Sequence, residues 1–298
     1  AGKTVYSLDN NCGVFAGATY DWQILNGEAV VASGTFETSA GDPIENGDMS
    51  QWCETKEMLP LFGSKKITVW YPGSSWSDST PGFWDSSNNA GNKTACTQDK
   101  TKNASCAWLQ ASGVSLVGAL ASGSLFTGTF TYANMNGTAS FGQKYKYTAR
   151  PTALRLKYHA TLGTVNYNKH NGPLEKNKDI MDQCSFTVCI VDWDTRHDVQ
   201  SGTSAPKGIW DPITMGELPV DKQNGIIGYG VKYSSENTPG TDLIPLEIPI
   251  KYYQQTNAAP DGENKFTIII SVSTSRYGDY LNGCDKNKIY VDDFEWVY

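Results

Sequence analysis

Hydrophobic and polar positions alternate in Thr152-Ala153-Leu154-Arg155-Leu156-Lys157-Tyr158-His159-Ala160, so that Leu154, Leu156 and Tyr158 share one face and Arg155, Lys157 and His159 the other. That period of two predicts a strand with one buried face. Similar runs cover residues 66–71, 124–131, 185–193, 225–233, 243–252, 265–273 and 288–298, parted by clusters of Gly, Asn, Pro and Asp. Phe186-Thr187-Val188-Cys189-Ile190-Val191 is apolar on both faces, which places it centrally in a sheet with something covering the outer side. Pro245 and Pro249 cannot donate to a ladder and mark the 243–252 run as an edge or a broken strand. No dozen residues repeat at 3.6, so the pattern predicts an all-β chain rather than α/β. Residues 1–42 read as an N-terminal β segment of two or three short strands (3–8, 19–25, 29–36), with Asp42-Pro43 as the junction into a main domain over 43–298.

The final run places carboxylates inside a β-patterned segment. With strict alternation, Tyr290, Asp292, Phe294, Trp296 and Tyr298 share one face, while Asp293 and Glu295 point the other way. A carboxylate among aromatics costs several kcal/mol, of order ~5, if it is buried bare, so it needs a partner. A bound cation, an arginine such as Arg150 or Arg276, or a solvated aromatic face would each answer that need.

Composition narrows the function. Only 18% of the 298 residues are charged and the net charge is -7, which lacks the basic stripe that nucleic acid requires. No apolar run reaches the length of a membrane span. The richness in Trp, Tyr, Asn and Gly fits an exported protein. Seven cysteines leave at least one unpaired within the chain. Cys96 and Cys106 flank a polar loop and are expected to bridge, whereas Cys184 and Cys189 face opposite sides of a strand. Cys12, Cys53 and Cys284 have no ligand-like spacing, and three scattered histidines argue against zinc.

Sugar recognition needs flat apolar surface for C–H faces and planar polar groups for hydroxyls. Two long loops supply both: 72–92, with Trp76, Phe83, Trp84 and Asn88, and 196–224, with Trp210 and Asp211, just after Asp192-Trp193-Asp194. Tryptophans of a sandwich more often plug its core, and Trp52, Trp70, Trp108 and Trp296 are expected to do so, while Trp76 and Trp84 are expected to be exposed. Asp192 and Asp194, with Arg196, His197 and Asp198 just beyond, form the densest titratable cluster and are the catalytic choice if the chain is a glycosidase. Tyr277 and Arg276 are loop candidates for a ligand role. No histidine lies near a Gly-x-Ser-x-Gly turn, and no phosphate-cradling loop precedes a helix.

Three stretches taken together resemble one family: Glu45-Asn46-Gly47-Asp48-Met49-Ser50-Gln51-Trp52, then Phe141-Gly142-Gln143 with Ala149-Arg150-Pro151-Thr152-Ala153-Leu154, and Ser273-Thr274-Ser275-Arg276-Tyr277-Gly278-Asp279 leading into Ile289-Tyr290-Val291-Asp292-Asp293. Over residues 43–298 the chain resembles the putative carbohydrate metabolism domain of exported gut-bacterial proteins. The resemblance implies a jelly-roll β-sandwich similar to carbohydrate-binding modules, often preceded by a small immunoglobulin-like domain of which residues 1–42 would be a remnant. It also implies a structural Ca²⁺ between first and last strands, with Asp292 as side-chain ligand and Glu45, Asn46 or Asp48 supplying further oxygens, and structural roles for Arg150, paired to a buried carboxylate, and for Gly278, in a positive-φ turn. The expected function is non-catalytic binding of a poly- or oligosaccharide in polysaccharide utilisation, by a lipoprotein at the bacterial outer membrane with its lipid anchor on a missing N-terminus. A glycoside hydrolase and a structural or adhesive module are the alternatives.

Overall fold

The computed structural model describes residues 16–58, 67–77, 79–90, 95–102, 105–145, 150–176, 179–216, 225–253 and 264–298. The expected strands at 3–8 and Cys12 lie outside them. Two sheets pack face to face as a jelly-roll sandwich. The larger has nine strands, its main path running His197–Ser201, Asn136–Phe141, Ser124–Ala133, Phe266–Ser273, Cys184–Trp193, Ile226–Ser234 and Lys251–Tyr252. The smaller has five: Ile244–Pro249, Ala153–Thr161, Lys288–Val297, Cys106–Gln110 and Cys96–Asp99. Proline confines Ile244–Pro249 to an edge and separates it from Lys251–Tyr252, as its sequence requires.

The core lies between the sheets. Leu154 and Leu156 of the small sheet meet Phe186, Val188, Ile190, Ile268, Ile270 and Val272 of the large one, all at most 1% exposed. Trp84 and Phe83 are buried members of this core rather than standing in solvent. Trp84 is fully buried and donates from Nε1 to the Glu45 carbonyl at 2.7 Å.

A second cluster sits on the outer face of the large sheet: Cys189, Val191, Trp193, Ile226 and Ile269, covered by Phe141, Trp210 and Met215. It explains why those strands are apolar on both sides. The short helix Pro212–Gly216 and the chain before it are the cover, and they reach only part of that face.

Strict alternation fails in the last strand. Asp293 takes φ 52°, and the ladder to Ala153–Thr161 shifts register there, which is the two-against-one arrangement of a bulge. Ile289 and Val291 face the core before it, Phe294 and Trp296 after it. Asp292 lies opposite Lys157, and both it and Asp293 stand on the outer side, where Lys157 pairs with Asp293 at 2.8 Å. Asp292 is therefore not on one aromatic face with Phe294 and Trp296.

Cys96 and Cys106 are free, buried thiols: Cys96 pairs with Leu109 and Cys106 with Asp99, so the expected bridge is absent. Thr19–Asn26 and Ala29–Glu37 form a hairpin that pairs only with itself among the described residues, leaving Trp22, Leu25, Val30 and Val31 exposed. No helix among the described residues is long and apolar enough to cross a membrane.

Candidate functional site

Where the helix cover ends, the outer face of the large sheet opens into a cleft of about 560 Å³. Its floor follows from the same alternation that builds the core. Phe186, Val188, Ile270 and Val272 point inward, so Ser185, Thr187, Ser271 and Ser273 point outward, and Ser185 lies opposite Ser273, Thr187 opposite Ser271. Hydroxyls on small side chains keep this floor low and polar, whereas neighbouring Cys189 and Ile269 on the same face are covered by the apolar cluster.

Aromatic residues make the walls. Trp210 meets Trp193 edge-on at 5.8 Å and Phe141 at 6.4 Å, so it is anchored in the outer cluster while lining the cleft. Tyr132, Tyr233, Tyr277 and Tyr280 complete them. Arg276 lies 3.6 Å from the Tyr233 ring centroid and 4.9 Å from that of Tyr277, and donates to Gln183 Oε1 at 3.2 Å, which fixes the two tyrosines relative to each other. Burial raises the Tyr233 hydroxyl, a rise that Arg276 opposes.

The loop carrying Arg276, Tyr277, Asp279 and Tyr280 is held from behind by a buried carboxylate. Asp182, with no exposed surface, accepts from Ser275 Oγ (2.6 Å), Asn287 Nδ2 (2.6 Å), and the backbone N–H of Cys284 (2.7 Å) and Gln183 (2.7 Å). Asn282, also fully buried, binds the carbonyls of Tyr167 and Leu174 and so fastens the adjoining loop that brings Lys169 and Pro173 to the cleft. The turn ends at Leu281 with φ 52°, a left-handed backbone that a leucine adopts only under outside constraint. Gly278 needs no positive φ: a Cβ there would come within 2.8 Å of Ser122, so glycine serves close approach.

Asp279 lies on this turn, lines the cleft, and is half-buried. Among the described residues no ion pair or hydrogen bond holds its carboxyl, and desolvation alone pushes it up to about 6. Asp211, in the same cleft, caps the short helix by accepting from the Ile213 N–H at 2.9 Å.

Of the residues expected at a sugar platform, Trp210 and Tyr277 come together here, with Trp193 behind Trp210. The others do not join them. Phe83 and Trp84 are core, and Asn88, fully buried, ties the Trp70 and Cys96 carbonyls and the Cys96 N–H into one network. Trp76 stacks flat on Tyr71 at 4.0 Å. Asp192 is exposed and paired with Lys265 at 2.6 Å, and it does not line the cleft with Asp194 as a catalytic pair. Trp70 is 39% exposed, and Trp108 stacks on Tyr290 outside the small sheet, so neither packs in the core. Arg150 is buried over the Tyr252 ring. Asp279 and the Ser/Thr floor escaped the sequence reading. The outward hydroxyl positions in Ser185-Phe186-Thr187-Val188 and Ile270-Ser271-Val272-Ser273 were their visible signal.

The calcium expectation can be tested on its donors. Asp292 is 2% exposed, and its Oδ1 accepts from the Asp293 N–H at 2.8 Å. Desolvation, chiefly, pushes it up to about 6, with Asp293 and Asp48 adding to the rise. Asn46, however, spends its amide on both backbone groups of Gln51, and Asp48 Oδ1 accepts from the Ser50 N–H and hydroxyl. A hard cation asks for about six to eight oxygens. Among the described residues no three His, Cys, Asp or Glu side chains gather to hold a metal. Asn46 and the Oδ1 of Asp48 are thus already committed to hydrogen bonds within their own turn.

Comparisons with known proteins agree on the fold. A structure titled a putative glycoside hydrolase from Bacteroides thetaiotaomicron superposes with a TM-score of 0.55 at 15% identity, covering 90% of this chain and 75% of that one. Another, titled a putative glycoside hydrolase from Bacteroides vulgatus, gives 0.53 at 16% identity, covering 83% and 97%. No curated protein matches the chain. The model of one family matches residues 36–297, nearly the whole sandwich and the motifs at both its ends. The chain belongs to the putative carbohydrate metabolism domain family.

Proposed function

We propose that the open half of the large sheet binds carbohydrate, as a non-catalytic module acting on poly- or oligosaccharide outside the cell. The observation that carries this reading is the pairing of aromatic walls, Trp210, Tyr277, Tyr280 and Tyr132, with a floor of outward Ser and Thr. Apolar ring faces suit sugar C–H surfaces, and hydroxyls and carboxylates suit sugar hydroxyls. Affinity electrophoresis against plant, mucin and host polysaccharides tests it. Retardation by at least one of them, abolished in a Trp210→Ala/Tyr277→Ala double variant, is expected. Unretarded migration of the wild type in every gel defeats the reading.

Hydrolysis is a second reading, favoured by one observation: Asp279 and Asp211 line the same cleft, and desolvation raises Asp279 to about 6, the range that suits a general acid. Release of reducing sugar by the wild type, lost in Asp279→Asn, would establish it.

A further inference from the structure

We infer that Asp279 is the residue by which the cleft selects its glycan: the ionised carboxylate accepts hydrogen bonds from the two hydroxyls of a vicinal diol of an uncharged sugar unit. The inference rests on the carbohydrate-binding reading of the same cleft. Its ground is geometric. The other planar polar groups at the site are occupied by the protein. Asp211 caps a helix, Arg276 is held between two tyrosines and Gln183, and Asp182 is consumed by four donors behind the wall. Asp279 alone among these faces the cleft with both oxygens unengaged by the described residues.

An unpaired carboxylate in a partly dehydrated cleft is costly to maintain, and its cost is relieved by donors the ligand brings. Two adjacent sugar hydroxyls match its two oxygens, as a charge-assisted pair of hydrogen bonds. Charge decides the class. Arg276 and Lys169 are balanced in the cleft by Asp211 and Asp279, and the whole chain carries -7, so no net positive field draws a sulfated or uronate-rich chain. Tyr132, Tyr233, Tyr277 and Tyr280 are the remaining titratable groups of the walls. On the strand packed against the turn, His197 shares the cleft-facing side with Val199, its Nε2 against the Gly208 carbonyl, and Asp198 points away; on the adjoining loop His170 donates its backbone N–H to the Tyr280 carbonyl and sets its Nε2 against the Gly202 carbonyl. None of these gives Asp279 a cation of its own.

Protonation removes acceptor capacity from a carboxyl, so binding should weaken as pH falls through about 6. The test uses the full chain in affinity gels containing xylan, mixed-linkage β-glucan or starch, with chondroitin sulfate as the anionic comparison, between pH 4.5 and 8. Expected is retardation by a neutral polysaccharide above pH 6.5 that drops at least tenfold by pH 5. Asp279→Asn should bind at least tenfold more weakly and without that pH step. An unchanged affinity and pH profile in Asp279→Asn overturns the inference while leaving cleft binding in place. Selective retardation by chondroitin sulfate overturns it too, as does reducing-sugar release that Asp279→Asn abolishes. If no polysaccharide retards the wild type, the cleft reading and this inference fail together. Carboxyl-carbon NMR of Asp279 supplies a measurement free of any glycan: titration near 4 instead of 6 removes the physical basis of the inference.

Discussion

The Asp182 carboxylate and the Ser275 hydroxyl meet at 2.6 Å with no access to solvent, and through that contact a buried acid sets the position of a surface loop. Asp182→Asn replaces one accepting oxygen by an N–H₂ group that faces donors, and each buried donor left without an acceptor costs about 1–3 kcal/mol. The variant should lose about 3 kcal/mol or more in chemical denaturation and lose polysaccharide retardation with it. Gly283→Ala should do the same from the other side, since its Cβ would lie 2.4 Å from Asp182 Oδ2 and 2.5 Å from Ser275 Oγ. Stability within about 1 kcal/mol of the wild type for both variants would show that the network does not hold the loop.

Two tryptophans that look alike in the sequence should behave differently. Trp210→Ala removes a cleft wall and should weaken polysaccharide binding by about 2 kcal/mol, or roughly 30-fold. Trp76→Ala removes a ring stacked on Tyr71 away from the cleft and should leave binding unchanged. Asp192→Asn, which breaks only an exposed pair with Lys265, should also leave it unchanged. Gel retardation of the three variants, with circular dichroism to confirm folding, is sufficient. Equal losses in Trp210→Ala and Trp76→Ala would refute this assignment of the site.

The sheets were legible because burying one face of a strand imposes a period of two, and the run from Thr152 to Ala160 states it without ambiguity. Short strands with half-buried or small residues, such as Asn136–Phe141 and His197–Ser201, carry too weak an alternation to be seen, although they form one wall of the cleft. The bulge at Asp293 hid the true facing of the last strand, because one extra residue reverses every side chain beyond it. Trp84 was misplaced for a different reason. A Gly/Ser-rich neighbourhood marks an irregular path, but Trp84–Ser86 pairs with residues 125–127 of the large sheet and Trp84 joins the main core. Which aromatic lines a cleft depends on contacts distant in the chain, such as Trp210 against Trp193 and Phe141, and no local pattern encodes those.

The cysteines make a separate test of the small sheet. Burial pushes the Cys106 thiol up to about 12 and raises those of Cys96, Cys184, Cys189 and Cys284 as well, so the native protein should react slowly with a thiol reagent at these positions. Cys53, half-buried, is the described thiol expected to react first. Mass spectrometry after alkylation of the native Cys12→Ser variant should find one fast-labelled site, at Cys53. Recovery of a Cys96–Cys106 linked peptide from the unreduced protein would contradict the register in which Cys96 faces Leu109.

Asp292 links pH, metal and stability in a way that decides the calcium question. Its folded value of about 6 lies above the ordinary 3.8 of an aspartate, so the folded state favours the protonated form. The resulting stability is fully present below about pH 4 and is lost as pH rises through 6, an effect of about 3 kcal/mol between those limits. Asp279, also raised to about 6, contributes a slope of the same sign, so Asp292→Asn is the comparison that isolates the first group. A calcium ion at Asp292 would act in the opposite direction. It would hold the carboxylate ionised, and stability would then increase with pH and collapse on adding a chelator. Because Asn46 and Asp48 are engaged in their own turn, we expect thermal melts between pH 4 and 8 to follow the metal-free course, unchanged by calcium or EDTA, with a shallower slope in Asp292→Asn. A melting temperature that rises by several degrees with millimolar calcium, and does not do so in Asp292→Asn, would instead place the ion at the seam of the first and last strands.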